Sequence, residues 1–389
     1  MNSTENRPLW NEIIHQATTF RRTLHQHPEL SWEERETADR IRTALSAAAI
    51  DWRPCATTGT VATITATGGA PHIALRADID ALPLQESGQQ AWCSRNRQVM
   101  HACGHDGHTA TLLATALWLK QHQDQLPGTV TFLFQPAEEG GHGAEKMIAD
   151  GALNGVERIF GWHNWPALPF GKAVAPAGAI MAANGSFEIT LTGRGGHSSQ
   201  PEACRDPILA ASATVLALQQ IVARRLPPQQ AAVVSVTSID GISNATIIPE
   251  KVKMRGSLRV ISGHLRSEVE QLITTIVHAT ASSYGVEAEV SHQPHYEATV
   301  NHPAAAEQLA EALSREFGPS WQGEIPLPIM GSEDFSAYLQ QIPGAFALIG
   351  SDDGEEHAYP CHSSHYDFND RLIAPAVRIL SQLAGVQCH

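Results

Sequence analysis

Strand-like and helix-like segments alternate through the first half of this 389-residue chain, and this alternation limits the fold more than any other feature. Short apolar runs such as 129–134 and 158–162 have the length and composition of buried strands. Residues 109–121, by contrast, are rich in Leu and Ala and are typical of a helix. The alternation predicts an α/β domain with a mainly parallel sheet. In such sheets ligands bind at the carboxyl ends of the strands, so functional side chains are expected there.

The pattern changes near residue 180. Between 186 and 291 the segments follow one another as strand, helix, strand, strand, helix and strand, which is typical of a ferredoxin-like α+β unit. The first pattern then returns and continues to the end of the chain. We therefore predict a discontinuous catalytic domain with a smaller domain inserted in it. The predicted bounds are 1–181 and 293–389 for the catalytic domain and 182–292 for the inserted one.

Composition disfavours several classes of partner and location. The formal net charge of −14 argues against nucleic acids and anionic membrane surfaces as partners. The six cysteines are scattered without the spacing of a disulfide framework, which is typical of reduced thiols in the cytosol. The first residues show no basic start followed by an apolar segment. No apolar run reaches the roughly 20 residues of a transmembrane helix. We therefore expect a cytoplasmic protein.

Residues 100–108, with the sequence MHACGHDGH, combine a thiol, imidazoles and a carboxylate in one short segment. Cys and His side chains bind borderline-soft divalent metal ions. Cys103 and His105 cannot complete a coordination sphere alone, so other ligands must come from elsewhere in the chain. Candidates stand at the ends of predicted strands or in His-containing motifs: Glu138, Glu139, His163 and His362. This combination favours metal-assisted hydrolysis.

A two-metal hydrolase needs ligands that hold its ions about 3.5–4 Å apart and a base for the water between them. The candidate ligand set is Cys103, His105, Glu139, His163 and His362. Glu138 is adjacent to a ligand at a strand end and should point another way, which suits a general base. Asp78, at the end of another predicted strand, could orient a ligand histidine.

Two other classes of function remain open. In a thiol hydrolase, Cys103 would be the nucleophile and His105 or His108 its base, and such an enzyme would survive treatment with a chelator. The third class is a metal-dependent binding protein that lacks catalysis. Glu138 weighs against it, because binding alone needs no base beside the metal. Cys361 is interpreted as a structural thiol.

Six motifs follow one another in order along the chain. They are 75–83 (LRADIDALP), 101–109 (HACGHDGHT), 135–140 (QPAEEG), 195–198 (GGHS), 331–335 (GSEDF) and 366–370 (YDFND). Together they resemble the amidohydrolase branch of the aminoacylase/carboxypeptidase metallopeptidase family. That branch contains hippurate hydrolases, auxin–amino-acid conjugate hydrolases and N-acetyl-diaminopimelate deacetylases.

The resemblance implies a metal-dependent amidohydrolase. Its substrates would be N-acyl L-amino acids of the acetyl or benzoyl type, cleaved to a carboxylate and a free amino acid. Action on short peptides, as a dipeptidase or carboxypeptidase, is the alternative. The resemblance also implies two divalent ions per subunit, Zn or Mn, with Ni or Co as further options. It implies a homodimer formed through the inserted domain, which would act as a lid.

The resemblance assigns roles residue by residue. The metal ligands would be Cys103, His105, Glu139, His163 and His362. Glu138 would be the general base and proton shuttle, and Asp78 the supporting carboxylate. His197 would reach the neighbouring subunit's site and stabilise the oxyanion. Arg259 would bind the substrate carboxylate, and Gly331 would let the backbone pass close to the substrate.

Two positions depart from the family's pattern. The family usually has Asn before a Val-Ile-Pro stretch in the lid domain, where this chain has Thr246. Asn244 is the candidate for the corresponding substrate-binding role. A Pro-His pair often follows the lid histidine, whereas this chain has Pro201 followed by Glu202. Both departures concern substrate recognition and leave the metal ligands intact.

Overall fold

The computed structural model describes residues 7–354 and 356–388. The helices are α1 (Arg7–Gln26), α2 (Arg35–Ala47), α3 (His105–Gln121), α4 (Gly143–Ala149), α5 (Pro207–Leu218), α6 (Gly263–Ser283), α7 (Pro303–Phe317), α8 (Ser336–Leu339) and α9 (Ile373–Leu383). The strands are β1 (Asp51–Cys55), β2 (Gly59–Ile64), β3 (Ile73–Asp78), β4 (Val130–Gln135), β5 (Arg158–Pro169), β6 (Ala173–Val174), β7 (Gly178–Met181), β8 (Ala183–Thr192), β9 (Gly196–His197), β10 (Ala232–Asp240), β11 (Ile247–Ile248), β12 (Lys251–Val260), β13 (Glu287–Pro294), β14 (Thr299–Asn301) and β15 (Gly344–Asp352). Among these described helices, none combines the length and apolarity that crossing a bilayer requires.

The chain divides into two compact units, the first of which carries the larger sheet. This unit comprises the described residues up to Gly178, then Val300–Pro326, and those from Asp334 onward. Its sheet has the strand order β1-β2-β4-β3-β5-β15-β6. The four strands β4, β3, β5 and β15 pair in parallel, and antiparallel pairs flank them. The predicted α/β fold with a mainly parallel sheet is confirmed.

Helix α3 packs in the core of the first unit and contacts the end of β3. It packs against α1, α9 and β3, and Trp118 meets Trp10 of α1 edge-on, with ring centroids 5.1 Å apart. Apolar periodicity predicts a helix only from Thr109, yet α3 begins at His105. Its polar first turn is nonetheless buried, because the Thr109 hydroxyl donates to the Asp78 carbonyl (2.9 Å) and holds that turn against the sheet.

The second unit comprises Ala179–Thr299 and Leu327–Glu333. Its sheet has the order β10-β12-β8-β13, in which every neighbouring pair is antiparallel. Buried residues alternate with more accessible ones along β8 and β12, and α5 and α6 pack against these strands. The main elements thus follow one another as strand, helix, strand, strand, helix and strand. β9 and β11 form a separate pair. The domain bounds predicted above, and the role of this unit as a lid, stay predictions.

Candidate metal centre

Ligand-type side chains from four chain segments converge in the first unit. Within each group, one ligand atom per residue lies within 4.8 Å of the others. Three groups are made up of predicted ligands and Glu138: Cys103–His105–His163, Cys103–Glu139–His362 and His105–Glu138–Glu139. His105 also belongs to a fourth group, with Asp78 and His108. All five predicted ligands are therefore brought together, and Cys103 belongs to two of the groups.

The contacts inside this cluster fit a divalent metal site. Cys103 Sγ lies 3.3 Å from His163 Nε2. Glu139 Oε1 lies 3.2 Å from His362 Nε2 and 4.0 Å from His105 Nε2. Despite these approaches, neither His105 Nε2 nor Glu139 Oε1 makes a hydrogen bond with any residue that the structure describes, although both atoms are buried. Buried polar atoms are rarely left unsatisfied, and thiol, imidazole and carboxylate donors are those that zinc-like ions bind.

Gly104 shapes the loop that carries the first two ligands. Its φ is 92°, in the left-handed region that favours glycine. A Cβ at this position would lie 2.3 Å from Asn164 Oδ1 and 2.5 Å from the Tyr366 hydroxyl. Only glycine therefore satisfies both the backbone conformation and the space between Cys103 and His105.

Asp80 supports two candidate ligands at once. Its Oδ1 lies 3.2 Å from His105 Nδ1. Its Oδ2 accepts hydrogen bonds from the backbone N–H of Glu139 (3.0 Å) and the hydroxyl of Ser31 (2.7 Å). A metal-binding histidine usually engages a carboxylate through its other ring nitrogen, which is how Asp80 meets His105. Sequence reasoning proposed Asp78 for this contact. In the sequence, the only indication of such a role for Asp80 is its place two residues after Asp78 in the motif 75–83 (LRADIDALP).

Asp78 lies at the end of β3 and contacts a different histidine. Its Oδ1 is 2.7 Å from His108 Nδ1, and its Oδ2 accepts a hydrogen bond from Arg76 Nη1 at 2.7 Å. The same Oδ2 lies 3.7 Å from His105 Nε2. Burial on its own raises the pKa of Asp78, but the charges of His105, His108 and Arg76 outweigh it and hold that pKa well below its usual range. Asp78 is therefore an ionised carboxylate within the cluster.

The carboxylates of the cluster favour positive charge at His105. Burial lowers the pKa of this imidazole, but the charge of Asp78, followed by Asp80 and Glu139, raises it to about 10. A proton on His105 balances these carboxylates in the metal-free chain. A divalent cation bound at Nε2 would take the place of that proton.

Cys103 and His163 resist carrying charge in the metal-free protein. Hydrogen bonding with the Cys361 thiol, and then burial, raise the pKa of Cys103 well above its usual range. Burial, and then the charge of His108, lower the pKa of His163 well below its usual range. His163 is therefore neutral and able to offer a lone pair. Cys103 would become a thiolate only with a cation beside it.

His163 lies inside β5, whereas the sequence predicted a strand that ends at residue 162. The strand continues to Pro169 because its parallel pairing with β15 continues, with Leu348 opposite His163 and Gly350 opposite Trp165. His163 Nδ1 lies 2.6 Å from the Asn164 carbonyl oxygen, which leaves Nε2 to face Cys103.

Glu138 and His362 complete the cluster from two loops. Glu138 is buried, and its Oε1 accepts a hydrogen bond from the backbone N–H of Asp334 at 3.4 Å. Ala137, with a φ of 53°, turns the chain just before the two adjacent glutamates. The backbone N–H of His362 donates to the Ala102 carbonyl at 2.7 Å, which places this exposed loop residue beside Cys103.

His197 and Asn244 lie on neighbouring segments of the second unit. His197 is exposed in β9, and its Nδ1 accepts a hydrogen bond from the Ser199 backbone N–H at 3.1 Å. The proton of the neutral ring is therefore on Nε2. Asn244 Oδ1 accepts from the Thr246 backbone N–H at 3.2 Å, and Ser198 N–H donates to the Thr246 carbonyl at 2.9 Å.

Arg259 and Gly331, the other predicted substrate-binding residues, are also in the second unit. Arg259 lies in β12, and its Nη1 donates a hydrogen bond to the Ser332 hydroxyl. A Cβ at Gly331 would meet Ile329 at 3.5 Å and Met181 at 3.6 Å, which are ordinary van der Waals distances. The packing of the second unit therefore leaves room for a Cβ atom at position 331.

The profile of peptidase family M20/M25/M40 matches residues 74–385, which is most of the chain. The chain belongs to peptidase family M20/M25/M40. The predicted likeness to the amidohydrolase branch of such enzymes is confirmed. IAA-amino acid hydrolase ILR1-like 2 of Arabidopsis thaliana is 39% identical over 378 residues, which cover 96% of this chain and 85% of that protein.

Two Bacillus subtilis proteins support the same family membership. The N-acetyl-L-cysteine deacetylase of strain 168 is 39% identical over 351 residues, covering 89% of this chain and 82% of the deacetylase. The crystal structure of a dinuclear metal-binding peptidase from the M20 family superposes with a TM-score of 0.83 at 34% identity. That match covers 96% of this chain and 98% of the other.

Proposed function

We propose that this M20-family chain is a metal-dependent amidohydrolase that cleaves N-acyl L-amino acids to a carboxylate and a free amino acid. The observation that carries the proposal is the convergence of thiol, imidazole and carboxylate ligands around a buried glutamate, Glu138. The relatives named as an IAA-amino acid hydrolase and an N-acetyl-L-cysteine deacetylase support amide cleavage and this substrate class.

Two divalent ions would be held by this chain's own side chains. Cys103, His105 and His163 would bind one, and Cys103, Glu139 and His362 the other, so that the thiolate is shared. Zn or Mn suits this donor set, with Ni or Co as further options. When bound, such ions polarise the amide carbonyl and lower the pKa of water towards about 7. The solved relative described as a dinuclear metal-binding peptidase supports the number of ions.

Glu138 would carry the protons. Its carboxylate accepts one from the attacking water and donates it to the amide nitrogen as the carbon–nitrogen bond breaks. The Asp334 backbone N–H holds one oxygen of this carboxylate. Asp80 and Asp78 would keep the imidazoles of His105 and His108 oriented.

The second unit would supply substrate recognition and the oxyanion contact. We assign the substrate carboxylate to Arg259, close backbone approach to Gly331 and a further polar contact to Asn244. His197 Nε2–H would donate to the oxyanion of the tetrahedral intermediate in the neighbouring subunit. The hydrogen bond that His197 Nδ1 accepts from Ser199 supports this tautomer.

We also propose that the residues predicted as the inserted domain, 182–292, form a homodimer. β10 is an edge strand, and it exposes Val233 (39%) and Ile239 (50%). α5 exposes Leu209 (54%) and Leu216 (76%). An unpaired edge strand beside exposed apolar side chains is typical of a surface that another chain covers.

Mixed dimers test the contribution of the partner. His197→Ala and Glu138→Ala should each be nearly inactive. After co-refolding, roughly a quarter of wild-type activity should return, since about half of the dimers are mixed and one of their two sites is intact. No recovery in dimers shown to be mixed would contradict the arrangement.

The reaction is tested by chelation and by a substrate panel. Dialysis against a chelator should abolish amino-acid release from N-acetyl and N-benzoyl amino acids, and Zn or Mn should restore it. N-acyl amino acid amides, which lack the carboxylate, should be poor substrates. Activity that survives chelation would instead support a Cys103 nucleophile, and preference for dipeptides would support a dipeptidase. A cytoplasmic location stays a prediction, supported by the free state of the six cysteines.

A further inference from the structure

A second thiol lies against the metal-binding loop. Cys361 Sγ is 3.9 Å from the carbonyl oxygen of Cys103, and Asn164 Nδ2 is 3.8 Å from the same sulfur. The hydrogen bond from His362 N–H to the Ala102 carbonyl, 2.7 Å long, ties the two backbone segments together. The geometry therefore holds Cys361 beside Cys103 through backbone contacts.

Cys361 has no part in the ligand groups of the described residues, although it precedes the ligand His362. It is half-buried, whereas Cys103 is buried. An oxidant from solvent would therefore meet Cys361 first, and the sulfur next to it would be that of Cys103. The proposed hydrolysis gives no role to this second thiol.

We propose that Cys103 and Cys361 form a reversible disulfide that removes Cys103 from the metal centre under oxidising conditions. The consequence for the metal rests on the proposed function, because Cys103 is there assigned to both ions. The disulfide itself rests only on the placement of the two thiols. Loss of the shared ligand would release metal, and reduction would restore the site.

A hydroperoxide is a sufficient oxidant. The Cys361 sulfur attacks one peroxide oxygen, the oxygen–oxygen bond breaks, and a sulfenic acid forms with release of water. The Cys103 sulfur then attacks the Cys361 sulfur, the sulfur–oxygen bond breaks, and a second water leaves. Two thiols and hydrogen peroxide thus give one disulfide and two waters. Reduction by a dithiol reverses the change through a mixed disulfide. Bound metal occupies the Cys103 sulfur, so the metal-free protein should oxidise faster.

Peptide mapping of the full-length protein tests the proposal. Metal-free and zinc-loaded samples are treated with equimolar hydrogen peroxide, alkylated, and digested without reduction. Mass spectrometry should find the Cys103 and Cys361 peptides linked, with the loss of two hydrogen atoms, and more so in the metal-free sample. Zinc content after dialysis should fall as the linked fraction rises, and it should return after reduction with dithiothreitol, removal of the reductant and renewed addition of zinc.

Two variants control the experiment. Cys361→Ser should give no linked peptide and should keep its zinc after the same treatment, because the buried Cys103 then has no neighbouring sulfenic acid to attack. Cys93→Ser removes another half-buried thiol, one that contacts Gln90, and should behave like the wild type.

Several outcomes would overturn the proposal. Recovery of both peptides in alkylated form after oxidation would do so, as would oxidised Cys103 that is not linked to Cys361. A linked protein that still binds its full complement of zinc would refute the loss of metal, together with the assigned ligand role of Cys103. Peptide masses and zinc content do not depend on whether N-acyl amino acids are hydrolysed, so failure of the two proposals can be distinguished.

Discussion

Arg76 and Asp334, 258 positions apart in the chain, form a buried ion pair in which Nη2 lies 2.8 Å from Oδ1. Arg76 also donates to Asp78 Oδ2 at 2.7 Å, within the ligand cluster. The Asp334 backbone N–H contacts Glu138 Oε1. One guanidinium therefore connects a carboxylate of the metal centre to the residue that holds the proposed base.

Asp334→Asn should destabilise the protein strongly. The change leaves the buried Arg76 guanidinium without one of its carboxylates, and breaking a buried pair costs on the order of 3 kcal/mol or more. Urea denaturation measures the loss in the free energy of unfolding. Glu36→Gln, which breaks an exposed pair with Arg40, is the control and should cost about 0.5 kcal/mol or less. Similar losses in the two variants would contradict a structural role for the buried pair.

Glu138→Gln should separate metal binding from turnover. The amide keeps the size of the side chain but cannot accept the proton of water, so turnover should fall about 10²–10⁴-fold. Elemental analysis should find the wild-type metal content. Glu139→Gln, changed at the adjacent ligand, should lose metal as well as activity. If Glu138→Gln also loses metal, Glu138 is a ligand and the base lies elsewhere.

Asp80→Asn should weaken metal binding by about 10–100-fold, the range found when a carboxylate behind a ligand histidine is changed. The physical reason is that Asp80 meets both His105 and the backbone N–H of Glu139. Competition with a chromogenic chelator measures the affinity. Ser31→Ala removes only a hydroxyl that donates to Asp80 and should have a smaller effect. Unchanged affinity in Asp80→Asn would show that the ligands orient without it.

Gly104→Ala should abolish metal binding, whereas Gly140→Ala should not. Both glycines have positive φ, 92° and 83°, so alanine costs about 1–2 kcal/mol of backbone strain at either position. Only at Gly104 would the added Cβ also collide with neighbours, while at Gly140 no atom lies within 4 Å. Metal content and urea denaturation of the two proteins measure the difference. Equal behaviour would show that the packing around Gly104 can yield.

His25→Gln should destabilise the protein more at pH 6 than at pH 10. His25 contacts Asp106 at 2.8 Å and Glu86 at 3.3 Å. Burial lowers its pKa, but these carboxylates raise it to about 9. Because the pKa in the unfolded chain is about 6.5, the bound proton adds on the order of 3 kcal/mol to the free energy of unfolding. This contribution is fully present below pH 6.5 and is lost as the pH rises through about 9. Urea denaturation at the two pH values measures it, and an equal loss at both would contradict a charged His25.

The order of residues along the chain was sufficient to predict the mainly parallel sheet. Apolar runs such as that in β4 have the period and length of strands, and these are local properties. The cluster around Cys103 and the pair Glu138–Glu139 likewise indicated a metal hydrolase through residue type alone. The helix start at His105 was not predicted, because a polar first turn carries no apolar periodicity.

Only the three-dimensional structure shows which histidine each of Asp78 and Asp80 contacts. Both carboxylates follow the same strand, and their partners are distant in sequence: His108 for one, His105 and Glu139 for the other. The pair formed by Arg76 and Asp334, and the approach of Cys361 to Cys103, are of the same kind. Periodicity reports which face of an element is buried, whereas the direction of a single side chain depends on backbone turns and on groups that only folding brings near.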